Sequence, residues 1–190
     1  ASMFVPGLGV PRDDVDPETP SATPTYQAPQ PVDWNARLAQ ASSLPKAELL
    51  QAYLGAARAA NDSNDLGAAR RHAQAAWDLA QNLTPRDPAR LDALEELAAV
   101  AEQDAERQGY LRRIVADLDP PAGVERLRVA QAKEQLAYSE ADASARVALL
   151  QDAVALRAAA TAPHDRSLQV VQHTLARALD ADAKVDQALD

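Results

Sequence analysis

The stretch that decides the fold runs from Pro45 to Leu83, PKAELLQAYLGAARAANDSNDLGAARRHAQAAWDLAQNL. Leu49, Leu50, Tyr53, Leu54 and Ala57 recur at three- and four-residue spacing, which places them on one face of an α-helix. The run Asn61-Asp62-Ser63-Asn64-Asp65 is made of turn and capping residues. Beyond it Leu66, Ala69, Ala73, Ala76, Trp77, Ala80 and Leu83 form a second periodic face. Two apolar stripes separated by a short polar turn predict a helical hairpin, and alanine on the stripes lets the two helices approach closely.

The same unit recurs along the chain. Pro88 opens a helix carrying Leu91, Leu94, Leu97, Ala98 and Ala101; a break near Gln108-Gly109 leads to Leu111, Ile114, Val115 and Leu118, stopped by Asp119-Pro120. A third pair spans about Val124 to Tyr138 and Asp142 to Ala160. Its second helix is apolar on two faces (Val147, Leu150, Val154 and Leu149, Ala153, Leu156), as a helix packed between neighbours should be. A fourth unit follows Pro163 with Leu168, Val171, Leu175, Ala178 and Leu179. A turn at Asp180-Ala181-Asp182 is expected to lead into a last short helix carrying Val185, Ala188 and Leu189. Upstream of all these, Asp33 is a good N-cap for a short helix through about Ser42, with Trp34 its first large apolar residue.

Seven of the 13 prolines fall in Ala1–Asp33; the other six sit between helical patterns, where a residue lacking an N–H belongs. The chain therefore divides into an extended Pro-rich arm, 1–33, and a helical-repeat domain, 34–190. The arm has an apolar head (Met3, Phe4, Val5, Leu8), an acidic patch (Asp13, Asp14, Asp16, Glu18) and a Pro/Ser/Thr/Gln stretch holding Tyr26. Ordering such a segment costs on the order of 1 kcal/mol per residue. Contacts must offset that cost, either along its own helices or with a neighbouring subunit, and an assembly is the expected source.

Composition removes whole classes of function. Six glycines and no alternating β-branched run leave no strand to predict, so the fold is all-α. The formal net charge of −9 repels nucleic-acid phosphates and anionic lipid surfaces. With no cysteine there is no disulfide, thiolate metal site or cysteine nucleophile. No run approaches the roughly 20 apolar residues that span a bilayer. Ala1 is a residue that signal peptidase leaves at a processed terminus, which predicts an exported, periplasmic or cell-envelope protein; a trimmed cytoplasmic chain would begin the same way.

Units beginning near Pro45, Pro88, Pro121 and Pro163, each a helix, a turn and a helix, together with Leu54-Gly55, Asp65-Leu66-Gly67-Ala68-Ala69 and Ala76-Trp77, resemble the tetratricopeptide repeat. In that family the Leu-Gly pair and the two alanines seven residues apart are where helices approach. The match departs in its spacing: Gly55 and Ala69 stand 14 residues apart, and the unit closed by Ile114–Pro120 has no Gly or Ala at the corresponding places. The resemblance implies a right-handed superhelix that binds proteins. Its groove would be lined in the first unit by Leu49, Ala52, Ala56 and Ala59, small and uncharged, so a shallow apolar groove is implied instead of a carboxylate clamp.

No residue pattern predicts catalysis, a cofactor or a metal. His72, His164 and His173 form neither HExxH nor a His-x3-His pair, and the acidic patch lacks the glycine and closing Glu of a calcium loop. Gly7-Leu8-Gly9 lacks the following helix and lysine of a phosphate loop. The predicted contact residues are therefore Met3, Phe4, Val5, Leu8 and Tyr26 on the arm, Leu49, Ala52 and Ala56 on the first hairpin, and Arg112 and Arg113, which could receive an acidic peptide. The expected function is a non-enzymatic scaffold, a subunit or accessory factor of a larger bacterial-envelope assembly of other protein subunits. The alternative is a homo-oligomer in which the arm of one copy docks on the next.

Overall fold

The computed structural model describes residues 32–189, with side chains to Ala183. The contact residues expected on the arm, Met3, Phe4, Val5, Leu8 and Tyr26, lie outside the described residues. So do the side chains of Val185, Ala188 and Leu189.

Among the described residues the chain is all-α, with eight helices and no strand: α1 (Trp34–Leu38), α2 (Lys46–Asp62), α3 (Leu66–Ala80), α4 (Pro88–Val100), α5 (Asp104–Asp117), α6 (Glu125–Tyr138), α7 (Ala143–Ala158) and α8 (Arg166–Leu189). Each helix packs mainly on its neighbours in sequence, and α2 also touches α4. That pattern of local packing is compatible with a helical-repeat solenoid.

Local chemistry sets the helix ends. Asp33, Asp65 and Asp142 accept backbone N–H bonds from Ala36, Ala68 and Ala145, and Asp87 accepts from Ala89 ahead of Pro88 in the first turn of α4. Asn64, at φ 60°, reverses the chain between α2 and α3, a left-handed conformation that asparagine tolerates better than most residues. On α3, Ala69, Ala73, Ala76 and Ala80 are fully buried, so the small-residue stripe is the surface on which α3 meets α2 and α4.

Three expectations are corrected. The second pair breaks at Ala101-Glu102-Gln103, not at Gly109, which lies inside α5 with open space around it. A lone helical glycine costs only about 1 kcal/mol, whereas at Ala101 the terminal carbonyls of α4 are taken by arginines: Arg107 donates to Ala98 O and Ala101 O at 3.3 Å each, and Arg70 to Val100 O at 3.0 Å. Second, α8 runs unbroken through Asp180–Asp182, where neither proline nor glycine interrupts it. Third, Leu66 is 54% exposed as the first residue of α3; the buried face starts at Ala69.

Gly55 lies against α1. A Cβ there would lie 2.4–2.6 Å from the Trp34 ring, so the glycine makes room for α1, not for the partner helix of its own hairpin.

Candidate functional site

Most arginines in the helical unit are committed to holding helices together. Arg58 on α2 pairs with Glu96 at 2.6 Å and Asp92 at 3.5 Å on α4; Arg128 on α6 reaches back to Asp92 at 2.7 Å and Glu95 at 3.3 Å. This ladder ties three first-of-pair helices along one side. Burial alone would lower the Arg58 pKa, but Glu96 and Asp92 together raise it. Burial is the main reason Glu95 titrates above the ordinary carboxylate, with Arg128 opposing and Asp92 and Glu96 adding to the rise. Arg86 donates to Pro120 O at 2.8 Å and Glu125 at 2.6 Å, Arg126 to Ala159 O at 3.3 Å, and Arg157 to Glu134 and Ser167.

The predicted contact residues separate accordingly. Arg113 is held by Asp117 at 2.9 Å, while Arg112 bonds the side chain of Gln108 at 3.0 Å and has no ion pair among the described residues. On the first hairpin Ala52 and Ala56 are buried, 0% and 4% exposed, so they do not present a surface; Leu49 is half-buried and Ala59 exposed. Of the histidines, His72 faces Tyr53 with ring centroids 6.2 Å apart, and His164 is exposed beside the α8 cap Asp165. Burial, then the charge of Arg71, lowers the His72 pKa.

One open feature among the described residues is a trough between α5 and α7. Both helices pack on α6 and not closely on each other, so α6 forms the floor. Two adjoining cavities, about 460 and 290 Å³, share Val115, Asp119 and Lys133 in their linings. Its α5 wall is Arg112, Val115 and Ala116 on one helical face, with Asp119 just beyond the helix end. Val129, Lys133 and Leu136 supply the floor. The α7 wall runs from Ala145 through Leu149 and Asp152 to Leu156. Lys133 on the floor pairs with Asp152 on the α7 wall, and Arg112, Asp119 and Glu140 set further charged groups among the aliphatic side chains of the lining. Leu149 and Leu156 join two cores at once, the α4–α6 cluster and the α6–α8 cluster.

Such a channel can bury an apolar segment of another polypeptide; it holds no nucleophile with an adjacent base. Among the described residues, no group of three or more His, Asp or Glu is placed to hold a metal ion, and no helix is long and apolar enough to cross a membrane. Sequence reasoning assigned Val115 and Leu149 to the core and passed over Ala116, Lys133 and Ala145. The i, i+3, i+4 register of Arg112, Val115 and Ala116 was the available signal, but a stripe alone does not reveal that α5 and α7 stand apart. No protein-family model, no curated protein and no solved structure matches the chain.

Proposed function

We propose that this protein is a non-enzymatic protein–protein interaction scaffold, a subunit or accessory factor of a larger assembly, its hairpins stacked as a right-handed tetratricopeptide-like superhelix. The observation that carries the reading is the contrast between charged groups spent on inter-helix ties and an open, partly aliphatic trough beside them. A surface of this kind gains free energy from apolar burial, about 25 cal/mol per Å², and offers little to a polar small substrate. As part of the same proposal, the assembly belongs to the bacterial cell envelope, a compartment that suits a chain without cysteine.

The test is stoichiometric capture from solubilised envelope by the full chain, side by side with Ala116→Arg, which fills the trough from an exposed position. The reading predicts a partner held by the wild type and lost by the variant. A partner held equally by both would move the docking surface away from α5 and α7, and turnover of any small molecule by the purified chain would contradict the non-enzymatic reading.

A second reading, a self-assembling structural subunit, is favoured by one specific observation: the chain supplies an apolar segment of its own, Met3 to Leu8, ahead of the helical unit.

A further inference from the structure

We infer that a separate cavity among α6, α7 and α8 is a binding site for a small organic acid, a single carboxylate carried on an apolar or aromatic body. The cavity is about 380 Å³ and shares no lining residue with the trough. That volume falls within the range of small-molecule sites, about 300–1,000 Å³. Ala137, Leu150 and Ala178 give it an apolar floor that continues the α6–α8 core. Tyr138, Arg146 and Arg177 supply its aromatic and charged groups.

The charge points to an anion. Most arginines of the helical unit are paired with carboxylates, but Arg146 on α7 and Arg177 on α8 have no ion pair among the described residues, and both line this one cavity. Arg146 is fixed from behind: its Nε donates to Glu140 O at 3.1 Å and its Nη2 to the same carbonyl, which leaves Nη1 for a ligand. Arg177 is exposed and makes no hydrogen bond among the described residues. Two guanidiniums with open N–H groups, brought together from different helices, match the acceptor geometry of a carboxylate.

The remaining surface asks for an apolar body on that carboxylate. Tyr138, the last residue of α6, is 74% exposed, and its hydroxyl has no partner among the described residues. Its ring face offers a stacking surface beside the aliphatic floor, so covering both adds apolar burial to the charge contact. Inorganic phosphate fits less well. It has nothing to lay on the floor, and a dianion meets more repulsion than a monoanion from a chain of net charge −9.

Phenylbutyrate, titrated into the isotope-labelled full chain at fixed ionic strength and followed by amide chemical shifts, tests this. A ligand of that size is expected to bind with a Kd on the order of 1 mM. Saturable shifts should appear at the amides around Tyr138, Arg146 and Arg177 and be absent around Ala116. Phenylbutyramide, which keeps the body and lacks the charge, should bind at least tenfold more weakly, and inorganic phosphate should give no saturable shift. Arg177→Gln removes an exposed side chain, so far-UV circular dichroism should stay unchanged while affinity for the acid falls at least fivefold. Arg146→Gln and Tyr138→Ala should weaken it in the same direction.

The inference is overturned if phenylbutyrate gives no saturable shift at these amides, if the amide binds as well as the acid, or if Arg177→Gln binds like the wild type. Phosphate that saturates the same amides where phenylbutyrate does not also overturns it, because the site would then take an inorganic anion. The scaffold reading is untouched by any of these results, since its own test is capture of a partner at Ala116.

Discussion

The guanidinium of Arg90 lies over the Trp77 indole, 5.1 Å from the ring centroid, while its Nε donates to Asp117 at 3.0 Å and its Nη1 to the carbonyl of Gln81. Arg90 is 4% exposed, the one buried charged residue among those described. A single side chain thus ties the end of α3 to α4 and α5. Trp77 packs against three of the four apolar clusters. Removing one partner of a buried ion pair typically costs about 3–5 kcal/mol because the other charge is stranded, and truncating a core tryptophan costs a similar amount. Arg90→Ala and Trp77→Ala should each lower stability by about that much in urea titration, and the double variant by clearly less than the sum because the two share one contact. Additive losses would show that the stacking contributes nothing.

Gly55 and Trp34 form a second interlocked pair. Gly55→Ala places a methyl inside the indole ring's space, so Trp34 must leave and α1 with it. The expected loss is about 1–3 kcal/mol, with a red shift in tryptophan emission. In a Trp34→Ala background the same Gly55→Ala change should become stabilising, since alanine exceeds glycine in helix propensity by about 1 kcal/mol. Unfolding curves that show no such sign change would mean the ring does not rest on Gly55.

The His72 pKa lies below its ordinary 6.5, with burial the largest cause and Arg71 next. Its neutral form is favoured on folding, so the stability it contributes is present above 6.5 and is lost as pH falls through that value toward the folded pKa. Melting temperature should therefore drop between about pH 7.5 and 5.5, and His72→Gln should flatten part of that slope. A histidine ring resonance titrating above 6.5 would contradict the assignment.

Much of the fold was legible because the signals are local. Asp33 and Asp65 cap helices as their positions implied, and the alanine stripe of α3 is buried as its period required. What the sequence hid depends on contacts between distant residues. The α4–α5 break is set by Arg70 and Arg107 taking carbonyls, which no run of residues announces, while Gly109 gave a false boundary. The candidate site was less legible still. Arg112 and Arg113 look alike in sequence, yet Asp117 takes one and leaves the other at the trough, and the trough exists because α5 and α7 share α6 as a floor without packing closely on each other.

The most direct measurement of the central claim, that the α5–α7 trough is the protein-docking site, is photo-crosslinking from that wall. A photoreactive benzoylphenylalanine at Arg112, exposed at one end of the channel, in the full chain irradiated with solubilised envelope, reports by mass spectrometry which polypeptide lies there. The account predicts a cross-link to one polypeptide, lost when the same chain also carries Ala116→Arg. Under conditions where the chain holds its partner, an Arg112 probe that attaches to no polypeptide at all would contradict it.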